Sequence, residues 1–258
     1  MRSVRPIRAR SAMNVLAALL LLGTPVSADV IDLRADAWCP FNCDPASDQP
    51  GYMVEVAQEA LALFGHEVRY TSMTWSRSLS QALSGDITGV IGTDQEESPD
   101  LILGPPMGNY QEAVVFRAGE ARSIATAEDL EGIRIGAILD YEYNTVIAAY
   151  VAENARNPER VQMIGGDDAL KRNLQKLKAG RIDMAIDERS VVTYMIDQLG
   201  LQDDLQVANY GEATELHIGF SPALEASALY AQQLTEGVAQ LKASGRYGEI
   251  LKRYGLTE

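Results

Sequence analysis

From residue 30 to its end the chain alternates short apolar runs with amphipathic stretches, which restricts it to sheets flanked by helices. Val30–Ala35 reads as a strand. Residues 53–64 place Met53, Val54, Ala57, Ala60, Leu61 and Phe64 on one helical face, with Gly65 as a C-cap. Strands over 67–72 and 87–91 bracket a helix over 76–83. The order then repeats. Thr126-Ala127-Glu128-Asp129 reads as a cap and first turn, followed by strands at 133–138, 160–164 and 182–186. Helices at 144–155, 170–178 and 189–199 separate and follow them. A strand over 216–220 and helices near 223–242 and 246–254 close the chain. Leu79-x-x-Ala82-x-x-Gly85-x-Ile87-x-x-x-Ile91 matches Leu174-x-x-Leu177-x-x-Gly180-x-Ile182-x-x-x-Ile186, 95 residues on. Any helix-to-strand unit shares some of this pattern, but the surrounding alternation favours two similar α/β lobes. Ligands of such sheets bind beyond the carboxyl ends of strands. Those ends are Gly92-Thr93-Asp94 and Asp187-Glu188-Arg189.

Charge narrows the partners. The chain has 22 basic and 36 acidic residues, a net of -14. Residues 1–28 hold Arg2, Arg5, Arg8 and Arg10 and no acid, so the other 230 residues carry a net of -18. Such a body is repelled by phosphate backbones and anionic lipid, which argues against nucleic acid and membrane surfaces as partners.

The four arginines precede an apolar run from Val15 to Leu22, broken by Gly23 and Pro25, and Val26-Ser27-Ala28 offers small residues for cleavage. The run is far shorter than the roughly 20 residues of a membrane span. A buried N-terminal helix is the alternative, but the pattern reads as an export signal cleaved after Ala28. The remainder is then expected in the periplasm, where disulfides persist. Cys39 and Cys43 can meet only if the chain turns, and Pro40 and Asn42 suit a turn. A disulfide is the leading reading. A metal site is poorly served by two cysteines with only His66 and His217 elsewhere, and the spacing is not that of a redox C-x-x-C pair.

Several segments, in order, resemble the periplasmic solute-binding proteins of ABC importers, amino-acid type (extracellular solute-binding family three). The first is strand 31–35 leading to Trp38-Cys39-Pro40-Phe41, followed by Gly51-Tyr52-Met53-Val54-Glu55-Val56-Ala57. Trp75 ahead of Leu79 and Gly85 comes next, then Leu130-Glu131-Gly132-Ile133-Arg134-Ile135-Gly136. Gly180-Arg181-Ile182-Asp183-Met184-Ala185-Ile186-Asp187 and Ile218-Gly219-Phe220-Ser221 complete the set. The resemblance covers residues 29–255 and implies a type II fold of two α/β lobes, each a mixed sheet flanked by helices. It implies crossings near 115–121 and 208–214, with lobe one made of 29–117 plus 212–258 and lobe two of 118–211. The implied partners are a small-molecule ligand and the membrane permease of an importer, with the protein a monomer.

The candidate ligand set is Trp38, Phe41, Trp75, Thr93, Asp94, Glu97, Tyr141, Tyr143 and Asp187, of which the resemblance implies Trp38, Trp75 and Asp187. Trp38 and Trp75 are alternatively core residues, and Asp187 alternatively caps helix 189–199. One departure from the family is informative. Its amino-acid binders carry an arginine after the strand equivalent to 87–91, which clamps the ligand carboxylate. Here no Lys or Arg occurs between Arg77 and Arg117, and the segment reads Thr93-Asp94-Gln95-Glu96-Glu97-Ser98-Pro99-Asp100. The second-lobe Gly-Thr signature is replaced by Asp140-Tyr141-Glu142-Tyr143, and Arg189 is the one candidate to replace the lost guanidinium. The expected ligand is therefore a cationic or neutral small molecule, not a standard α-amino acid. The rival is that these acids face solvent around an apolar pocket. No Ser/His/Asp arrangement, phosphate loop or metal cluster is present, so neither catalytic residue, cofactor nor metal is expected. A sensing partner of a membrane signalling protein and a dehydratase-like enzyme are the alternatives on this fold.

Overall fold

The computed structural model describes Met1 and residues 28–143 and 145–257; residues 2–27 of the expected export signal lie outside them. The first lobe begins with β1 (Val30–Ala35), α1 (Tyr52–Ala62), β2 (Glu67–Ser72), α2 (Trp75–Ser84) and β3 (Gly89–Thr93). Two short strands follow, β4 (Ile102–Leu103) and β5 (Gly108–Tyr110). The second lobe holds β6 (Glu112–Arg117), β7 (Ile135–Ile138), α3 (Thr145–Asn154), β8 (Val161–Ile164), α4 (Ala169–Lys178), β9 (Met184–Glu188), α5 (Arg189–Leu199) and β10 (Leu205–Asn209). The chain returns through β11 (Thr214–Phe220), α6 (Ser227–Ser244) and α7 (Arg246–Arg253).

Each sheet is built the same way. In the first, β1 lies parallel between β2 and β3; in the second, β7 lies parallel between β8 and β9. An antiparallel strand then joins beside the third, β11 on β3 and β6 on β9. The matched sequences α2–β3 and α4–β9 thus hold equivalent places, and the carboxyl ends of β3 and β9 carry Thr93-Asp94 and Asp187-Glu188. Both strands run two residues later than the sequence pattern implied.

The strand pairing also relocates the first crossing. Residues 112–117 pair with β9 and β10, so the chain leaves the first sheet at Gln111 and not at 115–121. Ala113–Phe116 is apolar on both faces because it is sandwiched inside the second sheet, where all four residues are buried. Residues 112–117 therefore belong with the second lobe. Residues 210–213 make the return. Gln111 ties the two crossings together, its side-chain amide donating to the Tyr210 carbonyl at 2.9 Å.

Two details fix the loop that reaches the cleft. Helix α1 has no side-chain cap; the N–H groups of Tyr52 and Met53 instead donate to the carbonyls of Pro40 and Phe41, at 3.0 Å each. Gly51 between them adopts φ 114, and a Cβ there would lie 2.3 Å from the Phe41 carbonyl oxygen. On its other side α1 packs on α6, where Gly237 approaches Ala60 so closely that a Cβ would sit 2.7 Å from that of Ala60. Ile31, Leu33, Leu61, Leu234 and Phe220 fill the core between them, each fully buried and each contributing about 1.5–3 kcal/mol.

Candidate functional site

Cys39 and Cys43 form the expected disulfide, with Cα atoms 4.8 Å apart. Across the base of that turn the Trp38 N–H donates to the Asn42 carbonyl at 2.7 Å. The closed turn presents the Trp38 indole and the Asn42 amide at the carboxyl end of the first sheet. The residues facing it from the second lobe come from the ends of β7 and β9. Between them lies a cavity of about 220 Å³.

The lining is chemically one-sided. It includes seven carboxylates: Asp36, Asp94, Glu96, Glu97, Glu142, Asp187 and Glu212. Five aromatic rings join them, from Trp38, Trp75, Tyr110, Tyr141 and Tyr143. Asn42, Thr214, Ile91, Gly92 and Leu216 complete it, and among the described residues no Lys, Arg or His takes part. A smaller chamber of about 180 Å³ adjoins it, sharing Asp36, Trp38, Trp75, Tyr141 and Asp187 and adding Asp140 and Asp167. Among the described residues no basic one lines it either.

Asp187 is the most constrained of these groups. It is 2% exposed at the end of β9. Its Oδ1 accepts from the Trp38 indole N–H at 3.0 Å, across the lobes, and from the Glu188 backbone N–H at 2.7 Å. Its Oδ2 is buried with no partner. Burial pushes this carboxyl up to about 7, with the Asp36 charge adding to the rise and the Trp38 hydrogen bond opposing it. The helix-capping role considered for Asp187 falls to its neighbour instead: Glu188 accepts from the Val191 N–H at 2.9 Å.

Glu97 mirrors this arrangement from the first lobe. Asp94 accepts the backbone N–H groups of Glu96 and Glu97, folding the acidic segment into a turn after β3. The Glu97 carboxylate then takes the Trp75 indole N–H at 2.7 Å. Burial raises its carboxyl to about 7, and the Asp94, Glu142 and Asp36 charges push the same way. Asp36 itself accepts from the Tyr141 hydroxyl at 2.7 Å, a second bond across the lobes, and burial raises its carboxyl as well. Ser76 and Asp140 make a third at 3.2 Å.

Seven of the nine expected ligand residues line the cavity: Trp38, Trp75, Asp94, Glu97, Tyr141, Tyr143 and Asp187. Phe41 and Thr93 do not. Phe41 is buried beneath Trp38, its ring stacked on the indole with centroids 4.6 Å apart. Thr93 is fully buried and spends its hydroxyl on Ser98 at 2.7 Å. Arg189 does not replace the absent guanidinium; it is exposed and donates to the Asn209 side chain outside the cavity. Asp36, Asn42, Tyr110, Glu142 and Glu212 were not foreseen. Asp36 and Asn42 flank the Trp38 motif and could have been read from it, while Tyr110 and Glu212 depend on where the crossings run.

No protein-family model and no curated protein sequence matches the chain. Its likeness is to solved structures. An ancestral arginine-binding protein bound to glutamine is 19% identical with a TM-score of 0.67, over 87% of this chain and 97% of that one. A structure of glutathione import through GshT and the cystine ABC importer TcyBC of Streptococcus mutans is 18% identical with a TM-score of 0.71, over 90% and 97%. A histidine kinase sensor domain with similarity to periplasmic binding proteins is 21% identical with a TM-score of 0.69, over 89% and 98%. These matches establish the fold: the two-lobed α/β architecture of periplasmic binding proteins.

Proposed function

We propose that this chain is a periplasmic solute-binding protein that closes its lobes on a small organic cation lacking an α-carboxylate, and delivers it to the membrane permease of an ABC importer. The observation that carries the reading is the lining itself, seven carboxylates and five aromatic rings with no basic residue among those described. An α-carboxylate placed among Asp36, Glu97 and Asp187 would add like charge in a partly dehydrated cleft. A cation there would take the partnerless Oδ2 of Asp187 and lie against aromatic faces, which attract positive charge. Its charge would also oppose the rise that burial imposes on the Asp187 and Glu97 carboxyls.

Delivery follows from closure. Trp38–Asp187 and Asp36–Tyr141 join the two lobes at the cavity wall, so a ligand touching these residues stabilises the closed form that a permease would read. The likeness to a histidine kinase sensor domain favours a second reading on the same chemistry, in which the closed form docks on a membrane signalling protein. Calorimetry against a panel of organic ammonium compounds and α-amino acids tests the ligand class. Binding of ammonium compounds without an α-carboxylate is expected. Tight binding of neutral α-amino acids, undiminished by Glu97→Gln, would refute it.

A further inference from the structure

The cleft holds two carboxylates that are set up alike but come from opposite lobes. Each has one oxygen held by a tryptophan indole N–H, Asp187 by Trp38 at 3.0 Å and Glu97 by Trp75 at 2.7 Å. The hydrogen bond orients the carboxylate without cancelling its charge. Asp187 keeps a second oxygen buried and without a protein partner, an acceptor open to a ligand donor. Asn42, on the same wall, also keeps a buried, partnerless Oδ1. Both orphans are acceptors, so the missing group is a donor.

The two carboxylates are also apart from one another. Asp187 borders both chambers, whereas Glu97 borders only the larger. The charge of Asp36 bears on each of them. Asp36 borders both chambers, and its Oδ2 accepts from the Tyr141 hydroxyl. Trp38, Tyr141 and Trp75 border both chambers, and their ring faces suit methylene groups. Among the described residues no three His, Cys, Asp or Glu side chains are grouped so as to hold a metal ion. A ligand with one cationic centre would answer one carboxylate and leave the other without a countercharge.

Resting on the cation-binding reading, we propose that the ligand is a linear dication, an α,ω-diamine or an amine–guanidine, with one end on Asp187 and the other on Glu97. Asp187 is the closed, fully dehydrated end and suits a primary ammonium. Glu97 stands on the acidic turn with Asp94 and Glu96 beside it and suits the second cation.

The test compares matched probes by calorimetry at pH 8: putrescine with butylamine, cadaverine with pentylamine, and agmatine. A charge-assisted hydrogen bond at the second end should make the best diamine about 10–100-fold tighter than its monoamine. Glu97→Gln should pull that diamine-to-monoamine ratio down towards one. Glu97→Asp keeps the charge but withdraws it by one methylene, and should shift the preference towards the longer diamine. Equal affinity for a monoamine and its diamine would overturn the dication and leave the cation-binding reading standing. Binding of neither would overturn both. A ratio unchanged in Glu97→Gln would remove Glu97 from the second end.

Discussion

Asp187→Asn separates the cost of the buried carboxylate from its use. The carboxyl stands at about 7 in the folded protein against 3.8 ordinarily, because it is buried. At a pH above both values, the ionised group lowers stability by about 4 kcal/mol relative to its protonated form. A carboxyl raised by folding gives stability that is full below its ordinary pKa and is lost as pH rises through about 7. Asparagine does not titrate. Its amide oxygen can still accept from Trp38 and Glu188, while its NH2 group takes the partnerless position at a cost of about 1–3 kcal/mol. The variant should thus be about 1–3 kcal/mol more stable than the parent at pH 8 and less stable by a similar amount at pH 4. Urea denaturation followed at both pH values measures this. Affinity for an organic cation should fall at least about 30-fold at pH 8, since removing one member of a buried charge pair costs about 2–5 kcal/mol. A variant destabilised equally at both pH values, or one that binds the cation as well as the parent, would refute the assignment of Asp187 as a buried, ligand-facing carboxylate.

Other outcomes follow from the same structure. Affinity for a cation should drop as pH falls below about 7, by up to about tenfold per pH unit for each of Asp187 and Glu97, because protonation removes the attracting charge; titrations from pH 8 to 5 check this. Replacing both cysteines by serine should cost about 2 kcal/mol in a urea melt and weaken cation binding, since the ring they close presents Trp38 and Asn42; unchanged affinity would show that the backbone hydrogen bonds of the turn suffice. Gly237→Ala should lower stability by about 1–3 kcal/mol, because its Cβ must push α6 away from Ala60, with the ligand affinity following only as far as lobe one is disturbed.

The alternation of strand and helix was readable because it depends on local periodicity, and so were the two strand ends that meet in the cleft. Strand β6 was not. Its Ala113-Val114-Val115-Phe116 run lacks the alternation of a half-exposed strand, being covered on both faces, and its partners β9 and β10 lie some 70 to 95 residues on. The acidity of 94–97 was visible as composition, but whether it faced solvent or ligand turned on one contact, the Trp75 indole drawing Glu97 into the cavity. Asp100, in the same segment, is exposed and lines neither chamber. Phe41 and Asp187 show the opposite limit. A motif located both near the site, yet only packing could say that Phe41 supports Trp38 from beneath while Glu188 frees Asp187 from capping α5.

The chain's two tryptophans, Trp38 and Trp75, both line the cavity and both hold a carboxylate there, so intrinsic fluorescence reads the site directly. Titrating the protein at pH 8 with cadaverine and with L-glutamine puts the central claim to the test. A saturable change in tryptophan emission with the diamine and none with the amino acid is the result this account predicts. Saturation by glutamine, with no response to any organic ammonium compound, would contradict it.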